Sequence, residues 1–204
     1  MIYFAILLGY LFGSIPFALV IGKLFYGKDI RGFGSGNLGG TNAGRVLGSK
    51  AGFSVALLDG LKGFIAISIT VLAMPGDTNA AILTGFAAAI GHCYPIFANF
   101  RGGKAVSTAF GYYLGVTVYF ATPWAVFWIF VFPLGLFFVI LKFTKYVSLS
   151  AMIVVTLASI LMFFVQDNLM ISLLAAALTV LVVYRHRSNI QRLRDGVENK
   201  VKWL

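Results

Sequence analysis

The stretch MIYFAILLGYLFGSIPFALVIGK (1–23) decides the class of fold, because its first charged residue is Lys23. A helix needs about 17–25 predominantly apolar residues to cross a bilayer, and this stretch provides them. It lacks the basic start of a cleavable signal peptide, and its first positive charge follows the apolar run. We therefore expect an uncleaved first span with its N-terminus outside.

The rest of the chain has the same apolar character. Of the 204 residues, 60% are hydrophobic and 11% are charged, whereas soluble domains are typically about 25% charged. We predict an all-α, polytopic membrane protein in which residues 1–204 form a single integral membrane domain. Seven transmembrane helices are predicted, at residues 3–22, 53–74, 80–99, 105–121, 124–141, 148–165 and 169–184.

The charges predict the orientation of these spans. With the N-terminus outside, one side of the membrane receives segments 23–52, 100–104, 142–147 and 185–204, which hold fifteen of the sixteen Lys and Arg residues. The exception is Lys62, near the start of the second span. Positive loops favour the cytoplasm, so the C-terminus should be cytoplasmic. The same rule accounts for the net charge of +10 without a nucleic-acid partner.

Several residues inside the spans predict local features. Pro16 and Pro133 should kink their helices. Asp59 and Lys62, three residues apart in the second span, can pair on one helix face. The lone cysteine, Cys93, is most simply a small buried hydrophobe. Two glycine pairs have the small-xxx-small spacing that allows close helix packing, Gly9 with Gly13 and Gly111 with Gly115.

Three polar clusters fall on the predicted cytoplasmic side. The first is RGFGSGNLGGTNAGR (31–45), in which six of fifteen residues are glycine. Glycine allows backbone N–H groups to turn towards an anion, and the flanking Arg31 and Arg45 can each offer a bidentate fork to phosphate. The sequence therefore predicts an oxyanion-binding loop at the membrane surface.

The second and third clusters are also basic. GHCYPIFANFRGGKAVST (91–108) places paired glycines and Lys104 just before the fourth span, where a helix N-terminus favours anions. In the tail, YRHRSNIQRLRDGVENKVKWL (184–204) combines arginines with His186, Asn189 and Glu198. Arginines alone would suit a positive anchor for the last span, whereas an anchor requires none of the other three residues.

The sequence lacks the motifs that several classes of enzyme require. No DxxD pair is present to hold Mg²⁺ over a diphosphate, and neither HEXXH nor GxSxG occurs. Neither histidine opens an H-x₄-D, since Phe97 follows His92 at that spacing and Gln191 follows His186. We expect a site with no metal and no cofactor that holds phosphates and uses an already activated donor.

Three stretches, GSGNLGGTNAGR (34–45), GHCYPIFANFRGGKAVST (91–108) and RHRSNIQRLRDGVE (185–198), resemble the signature motifs of the bacterial acyl-phosphate:glycerol-3-phosphate acyltransferases. The resemblance covers essentially the whole chain. It implies a multi-pass enzyme of the bacterial inner membrane with a cytoplasmic active site. The enzyme would transfer an acyl group from acyl phosphate to the 1-hydroxyl of glycerol 3-phosphate, giving lysophosphatidic acid. Acyl-CoA and acyl carrier protein are not expected as donors, and the soluble phosphate acyltransferase that makes acyl phosphate is a plausible partner.

The resemblance also assigns roles to residues. It implies that Ser35 and Arg45 are essential and that Gly102 and Gly103 shape the glycerol 3-phosphate site with Lys104. It further implies that His186 and Asn189 support activity and that Glu198 is chiefly structural. Further residues are predicted to contribute to substrate binding, namely Gly34, Asn37, Asn42, His92 and Ser107.

The proton acceptor for the attacking hydroxyl has three candidates, His92, His186 and the phosphate of the donor. We favour the phosphate, because no carboxylate accompanies either histidine in the sequence.

Two other function classes fit part of the pattern. A transporter for a phosphorylated metabolite or lipid would also use cytoplasmic cations, although its substrate site would be expected near the middle of the bilayer. A membrane scaffold would suit the charge alone but leaves the glycine-rich loop unexplained.

Overall fold

The computed structural model describes residues 1–201, and these residues form helices and connecting loops without a strand. They divide into two compact units, Met1–Gly115 and a second unit that begins at Val116. Residues 202–204, the end of the predicted basic tail, lie outside the described residues. That residues 1–204 form one domain remains a prediction.

The first unit contains five helices and most of a sixth. The break after the first helix lies at Ser14–Pro16, because proline cannot continue a helix at this position, so the kink predicted at Pro16 is confirmed. The helices are α1 Ile2–Gly13, α2 Phe17–Tyr26, α3 Gly40–Leu47, α4 Ser49–Ala73, α5 Thr78–Cys93 and α6 Val106–Phe120.

Glycines let these helices pack closely, as predicted. A Cβ added to Gly13 would overlap the backbone of Ala88, so α1 lies against α5 at the closest approach that a glycine allows. A Cβ on Gly111 would likewise overlap the carbonyl of Gly60, which brings α6 against α4. Close backbone approach at small residues is the usual way in which membrane helices associate.

The second unit contains the remaining helices. Pro133 lacks the N–H that would bond to the carbonyl four residues earlier, and a π-helical turn at Phe127–Val131 directly precedes this part of the chain. The helix is thus irregular just before Pro133, and the kink predicted at Pro133 stays a prediction. The helices are α7 Pro123–Val126, α8 Phe132–Thr144, α9 Val147–Val165, α10 Leu169–Arg185 and α11 Arg187–Arg194.

Each of the seven predicted spans contains helix, but the count of seven is not confirmed. Five helical stretches are long and apolar enough to cross a membrane, and α10 with α11 would make a sixth if this pair, bent by 56°, is counted as one span. The helix α6 has 15 residues, fewer than the roughly 20 that a perpendicular crossing needs. The direction in which the chain crosses the membrane also remains a prediction.

Candidate active site

The first motif folds as a loop followed by the short helix α3. The loop leaves α2 through Gly27, whose φ of 61° ends that helix, and it turns twice more at Gly34 and Gly36, with φ of 59° and 67°. Positive φ is readily adopted by glycine and is strained for other residues. The glycine pattern is thus needed to fold the loop itself.

Asn42 in α3 holds this loop in place. Its Oδ1 accepts a hydrogen bond from the backbone N–H of Ser35 at 2.9 Å, and its Nδ2 donates to the carbonyl of Phe33 at 3.2 Å. A longer bond of 3.4 Å reaches the carbonyl of Ile30. The Asn42 side chain is buried and occupied by these contacts, so it is placed to order the loop rather than to face a substrate.

The two arginines of the first motif differ in their surroundings. Arg31 binds Asp29 through two hydrogen bonds, Nε to Oδ1 at 2.9 Å and Nη2 to Oδ2 at 2.5 Å. Asp29 thus already takes two of the five N–H donors of Arg31, and phosphate binding by the remaining donors stays a prediction. Arg45 is exposed in the last turn of α3 and makes no ion pair within residues 1–201.

The Arg31 guanidinium also affects its partner. Its hydrogen bonds hold the pKa of the Asp29 carboxyl well below its usual range, and the charges of Arg31 and Lys23 act in the same direction, against a smaller opposing effect of burial. Asp29 therefore stays ionised and keeps Arg31 paired over a wide range of pH.

The second motif is a turn that follows α5 and leads into α6. The carbonyl of His92 accepts a hydrogen bond from the N–H of Gly103 at 3.0 Å. The side chain of Asn37, in the first motif, donates from Nδ2 to the carbonyl of Gly102 at 3.2 Å. The two motifs that lie far apart in the sequence are thus joined by a direct hydrogen bond within the first unit.

The paired glycines are required by packing against His92. A Cβ on Gly103 would overlap the imidazole at Nε2, and a Cβ on Gly102 would overlap the His92 carbonyl. We expected the N–H groups of both glycines to hold phosphate. In this structure the Gly103 N–H instead donates to the His92 carbonyl. The absence of a side chain at Gly103 leaves the space that the His92 ring fills.

Lys104 and Ser107 lie on the other side of this turn. Lys104 lies two residues before the start of α6, Ser107 lies in the first turn of α6, and both side chains are partly exposed. Both are thus carried by the first unit, which also carries Ser35, on the exposed part of the glycine loop, and Arg45.

A buried ionic group lies beneath the second motif. Asp59 and Lys62 pair as predicted, with Nζ 2.8 Å from Oδ1. The Nδ1 of His92 lies 3.4 Å from the same oxygen. His92 therefore does have a carboxylate neighbour, which we missed because Asp59 lies on α4 and His92 on α5. The available signal was that Asp59 and His92 are both polar residues predicted within adjacent antiparallel spans.

The third motif lies in the second unit. His186 links α10 to α11, is buried, and has its Nδ1 2.8 Å from the carbonyl of Val182. Asn189 is also buried, and its Nδ2 donates to Oε1 of Glu198 at 2.6 Å. Both predicted catalytic residues of this motif are thus held inside the protein.

Glu198 is the centre of the contacts that hold the end of the third motif. Ser148 donates to its Oε1 at 2.8 Å and Arg192 to its Oε2 at 2.7 Å. Burial favours the neutral acid, but the hydrogen bonds from Asn189, Ser148 and Arg192 outweigh burial and lower the pKa of the Glu198 carboxyl. These contacts support the structural role predicted for Glu198, which stays a prediction.

Within residues 1–201, no three His, Cys, Asp or Glu side chains come together in a way that could hold a metal ion. In the loops of the first two motifs the polar side chains are mainly cations, hydroxyls and amides, whereas the Asp59 carboxylate is paired inside α4. The fold and site thus define a helical integral membrane protein whose loops are suited to anionic substrates.

Comparison with known proteins identifies the family. The glycerol-3-phosphate acyltransferase family matches residues 3–196. The chain is 48% identical over 199 residues to the glycerol-3-phosphate acyltransferase of Listeria welshimeri, covering 97% of this chain and 96% of the relative. It is 46% identical to that of Bacillus subtilis, covering 98% and 97%. The chain therefore belongs to the glycerol-3-phosphate acyltransferase family.

Solved structures show the same fold. The crystal structure of PlsY (YgiH), an integral membrane glycerol 3-phosphate acyltransferase, in its glycerol 3-phosphate form, is 37% identical and superposes with a TM-score of 0.86. That match covers 98% of this chain and 96% of the other. The lysophosphatidic acid form of PlsY gives a TM-score of 0.84 at 36% identity, covering 98% and 95%. The integral membrane fold predicted from the apolar spans is thus supported independently.

Proposed function

We propose that this protein transfers a fatty acyl group from acyl phosphate to the 1-hydroxyl of sn-glycerol 3-phosphate. The hydroxyl oxygen attacks the acyl carbonyl carbon and forms an ester, the bond from that carbon to the phosphate oxygen breaks, and inorganic phosphate leaves. The products are lysophosphatidic acid and phosphate. Family membership supports the acyltransferase activity and glycerol 3-phosphate as acceptor, and the choice of donor is our inference.

The observation that carries the proposal is the hydrogen bond between Asn37 and Gly102. It joins the loop that precedes Arg45 to the turn that precedes Lys104, so that the two cation-bearing motifs are ordered together. Both substrates are phosphorylated anions, and each needs a cation. Holding them side by side can lower the barrier by roughly 7–11 kcal/mol through effective molarity.

The individual roles follow from the chemistry of the side chains. Arg45 and Lys104 hold the two phosphates, and Ser35 donates a hydrogen bond to phosphate or to the developing oxyanion. Asn37 and Asn42 keep the loop in shape, as do the turns at Gly34 and Gly36. His186 and Asn189 support activity from the third motif, and Glu198 holds that motif together.

The proton of the attacking hydroxyl passes to the phosphate of the donor. The burial of both histidines supports this assignment, since His92 is 7% exposed and His186 is 3% exposed. A general base must come within hydrogen-bond distance of the proton that it removes. The donor phosphate leaves in the same step and is already beside the reacting carbonyl, so it meets this requirement without a movement of the protein.

The proposed setting is the inner membrane of a bacterium, with the active site on the cytoplasmic face. The basic loops support this orientation. Acyl phosphate would come from a soluble phosphate acyltransferase on the same side. Its acyl chain enters from the surrounding lipid, so membrane lipid is part of the substrate environment.

The test is an acyl-transfer assay on purified protein in lipid, with labelled glycerol 3-phosphate and EDTA. Each reaction contains long-chain acyl phosphate or acyl-CoA as donor. We expect labelled lysophosphatidic acid from acyl phosphate alone, and we expect Arg45→Ala to abolish it. The matched control is Lys50→Ala, which removes an exposed cation just beyond α3 and should leave the rate unchanged.

Two results would contradict the proposal in different ways. Equal turnover with acyl-CoA would retain the acyltransferase but overturn the choice of donor. Product that appears only after a divalent metal is restored would overturn the expectation that the reaction needs no metal.

A further inference from the structure

Two charged side chains lie inside α4, a helix that is long and apolar enough to cross a membrane. Crossing the membrane does not require these charges. Asp59 and Lys62 in α4 are 2% and 1% exposed. Ionic groups inside membrane spans are unfavourable and are usually tied to function. Acyl transfer as proposed above uses neither of them, so their presence calls for another explanation.

The explanation begins with His92. Its Nδ1 lies 3.4 Å from Oδ1 of Asp59, and its Nε2 lies on the side where a Cβ of Gly103 would be. The imidazole is thus held between a carboxylate on α4 and the backbone of the second motif. A carboxylate beside one ring nitrogen fixes both the tautomer and the orientation of a histidine.

The turn of the second motif depends on that histidine. The N–H of Gly103 donates to the His92 carbonyl at 3.0 Å, and the His92 ring fills the space left by the missing side chain of Gly103. Lys104 is the next residue. A rotation of the imidazole would therefore move the turn and, with it, the cation that the proposed function assigns to phosphate.

We propose that Asp59 is a positioning residue for glycerol 3-phosphate. Through His92 it holds the turn at Gly102–Gly103, and hence Lys104, in the conformation that receives the substrate phosphate. This inference rests on the proposed function, because it assumes that glycerol 3-phosphate binds at this turn.

Lys62 is the ionic partner of Asp59 in this arrangement. Its Nζ balances the Asp59 charge and lies 4.9 Å from the centre of the Phe17 ring at the start of α2. A cation over an aromatic face is stabilised by the ring. Lys62 therefore holds the same carboxylate oxygen that lies beside His92.

A purely structural ion pair between helices is the rival explanation, and a paired substitution separates the two. Asp59→Asn alone would leave the Lys62 cation buried without its partner, which destabilises proteins for reasons unrelated to substrate. The double variant Asp59→Asn with Lys62→Met keeps the charge balanced and removes only the carboxylate from His92. The control is Asp77→Ala, which removes the N-terminal cap of α5 in the same unit.

The measurements are KM for each substrate, kcat, and the melting temperature in detergent. For the double variant we expect KM for glycerol 3-phosphate to rise about tenfold, as for the loss of one good hydrogen bond. KM for acyl phosphate should stay within about twofold, since the rest of the site is intact. Asp77→Ala should lower the melting temperature and leave both KM values unchanged.

A cycle with His92→Asn tests whether Asp59 acts through the histidine. If it does, adding the double substitution to His92→Asn changes KM for glycerol 3-phosphate no further. If the effects multiply, Asp59 does not act through His92 and the inference is overturned. An unchanged KM in a folded double variant, or a fall in kcat with both KM values unchanged, would overturn it equally.

Two further outcomes remain distinguishable. If the double variant does not fold, Asp59→Glu is tested instead, because it keeps the charge and displaces the carboxylate by one methylene. An unchanged KM for glycerol 3-phosphate in Asp59→Glu also overturns the inference.

If the wild-type protein produces no lysophosphatidic acid, the proposed function fails. Calorimetric binding of glycerol 3-phosphate then decides the inference: about tenfold weaker binding by the double variant supports it, and equal or absent binding overturns it.

Discussion

The side-chain amide of Asn37 lies 3.2 Å from the carbonyl oxygen of Gly102. This contact joins the glycine-rich loop, which Asn42 orders, to a turn that packs against His92. The loop precedes Arg45 and the turn precedes Lys104, so this hydrogen bond helps to set the separation of the two cations. A reaction between two phosphorylated substrates is sensitive to that separation.

Asn37→Ala should therefore impair catalysis more than folding. The side chain is partly exposed, and we expect the free energy of unfolding to fall by about 1 kcal/mol or less. We expect kcat/KM to fall about tenfold or more, because misplacement of bound groups affects rate strongly. Steady-state kinetics and thermal melting measure the two effects. Thr41→Ala, at an exposed position in α3, is the control, and wild-type kinetics in Asn37→Ala would contradict the linking role.

Much of the fold could be predicted from the apolar runs and from the proline and glycine residues within them. The break at Pro16 and the close packing at Gly13 follow from the chemistry of proline and glycine alone. The number of transmembrane helices was harder to predict. The helix α6 is apolar but has only 15 residues, and a hydropathy pattern does not distinguish a short buried helix from a full span.

The candidate site was predictable as a set of motifs but not as a set of contacts. Glycine-rich composition indicated an anion-binding loop. It did not show that Asn42 orders the loop or that Asp29 occupies Arg31, since such short-range contacts depend on the turns that the backbone takes. The pairing of Asp59 with His92 depends on how α4 packs against α5, which periodicity within one helix does not determine.

Asn42→Ala should loosen the glycine loop. The amide makes three hydrogen bonds to that loop, and the buried carbonyl of Ile30 would lose a partner. We expect a loss of about 2–3 kcal/mol in stability, since three hydrogen bonds are lost and each contributes about 0.5–1.5 kcal/mol net. Limited trypsin digestion should cleave after Lys28 or Arg31 sooner than in the wild type. Unchanged digestion would contradict the ordering role, and Thr41→Ala again serves as control.

Glu198→Gln should reduce the dependence of stability on acid pH. The folded-state pKa of Glu198 is lowered, so its ionised form contributes stability above the unfolded value of about 4.3. That contribution is lost as pH falls through the lower folded-state pKa. At pH 7 we expect Glu198→Gln to be less stable by about 1–3 kcal/mol, the range for hydrogen bonds to a charged group.

The measurement is thermal melting in detergent between pH 7 and pH 3. The difference between wild type and Glu198→Gln should be largest at neutral pH and should shrink towards pH 3. Asp195→Asn removes a neighbouring exposed carboxylate and controls for the change in net charge. A constant difference across the whole range would contradict the assigned role of the Glu198 carboxylate.

Gly103→Ala should destabilise the protein because its Cβ would overlap the His92 ring. A Cβ at this position would overlap Nε2 of the imidazole, and overpacking of a filled interior costs about 1–3 kcal/mol or more. Gly32→Ala is the matched control, since a Cβ there meets nothing within 4 Å. We expect Gly103→Ala to lower the melting temperature and Gly32→Ala to leave it nearly unchanged.

Combining Gly103→Ala with His92→Ser removes the clash and should restore much of the lost stability. A double variant no more stable than Gly103→Ala would show that the glycine is required for another reason, such as the backbone path into α6.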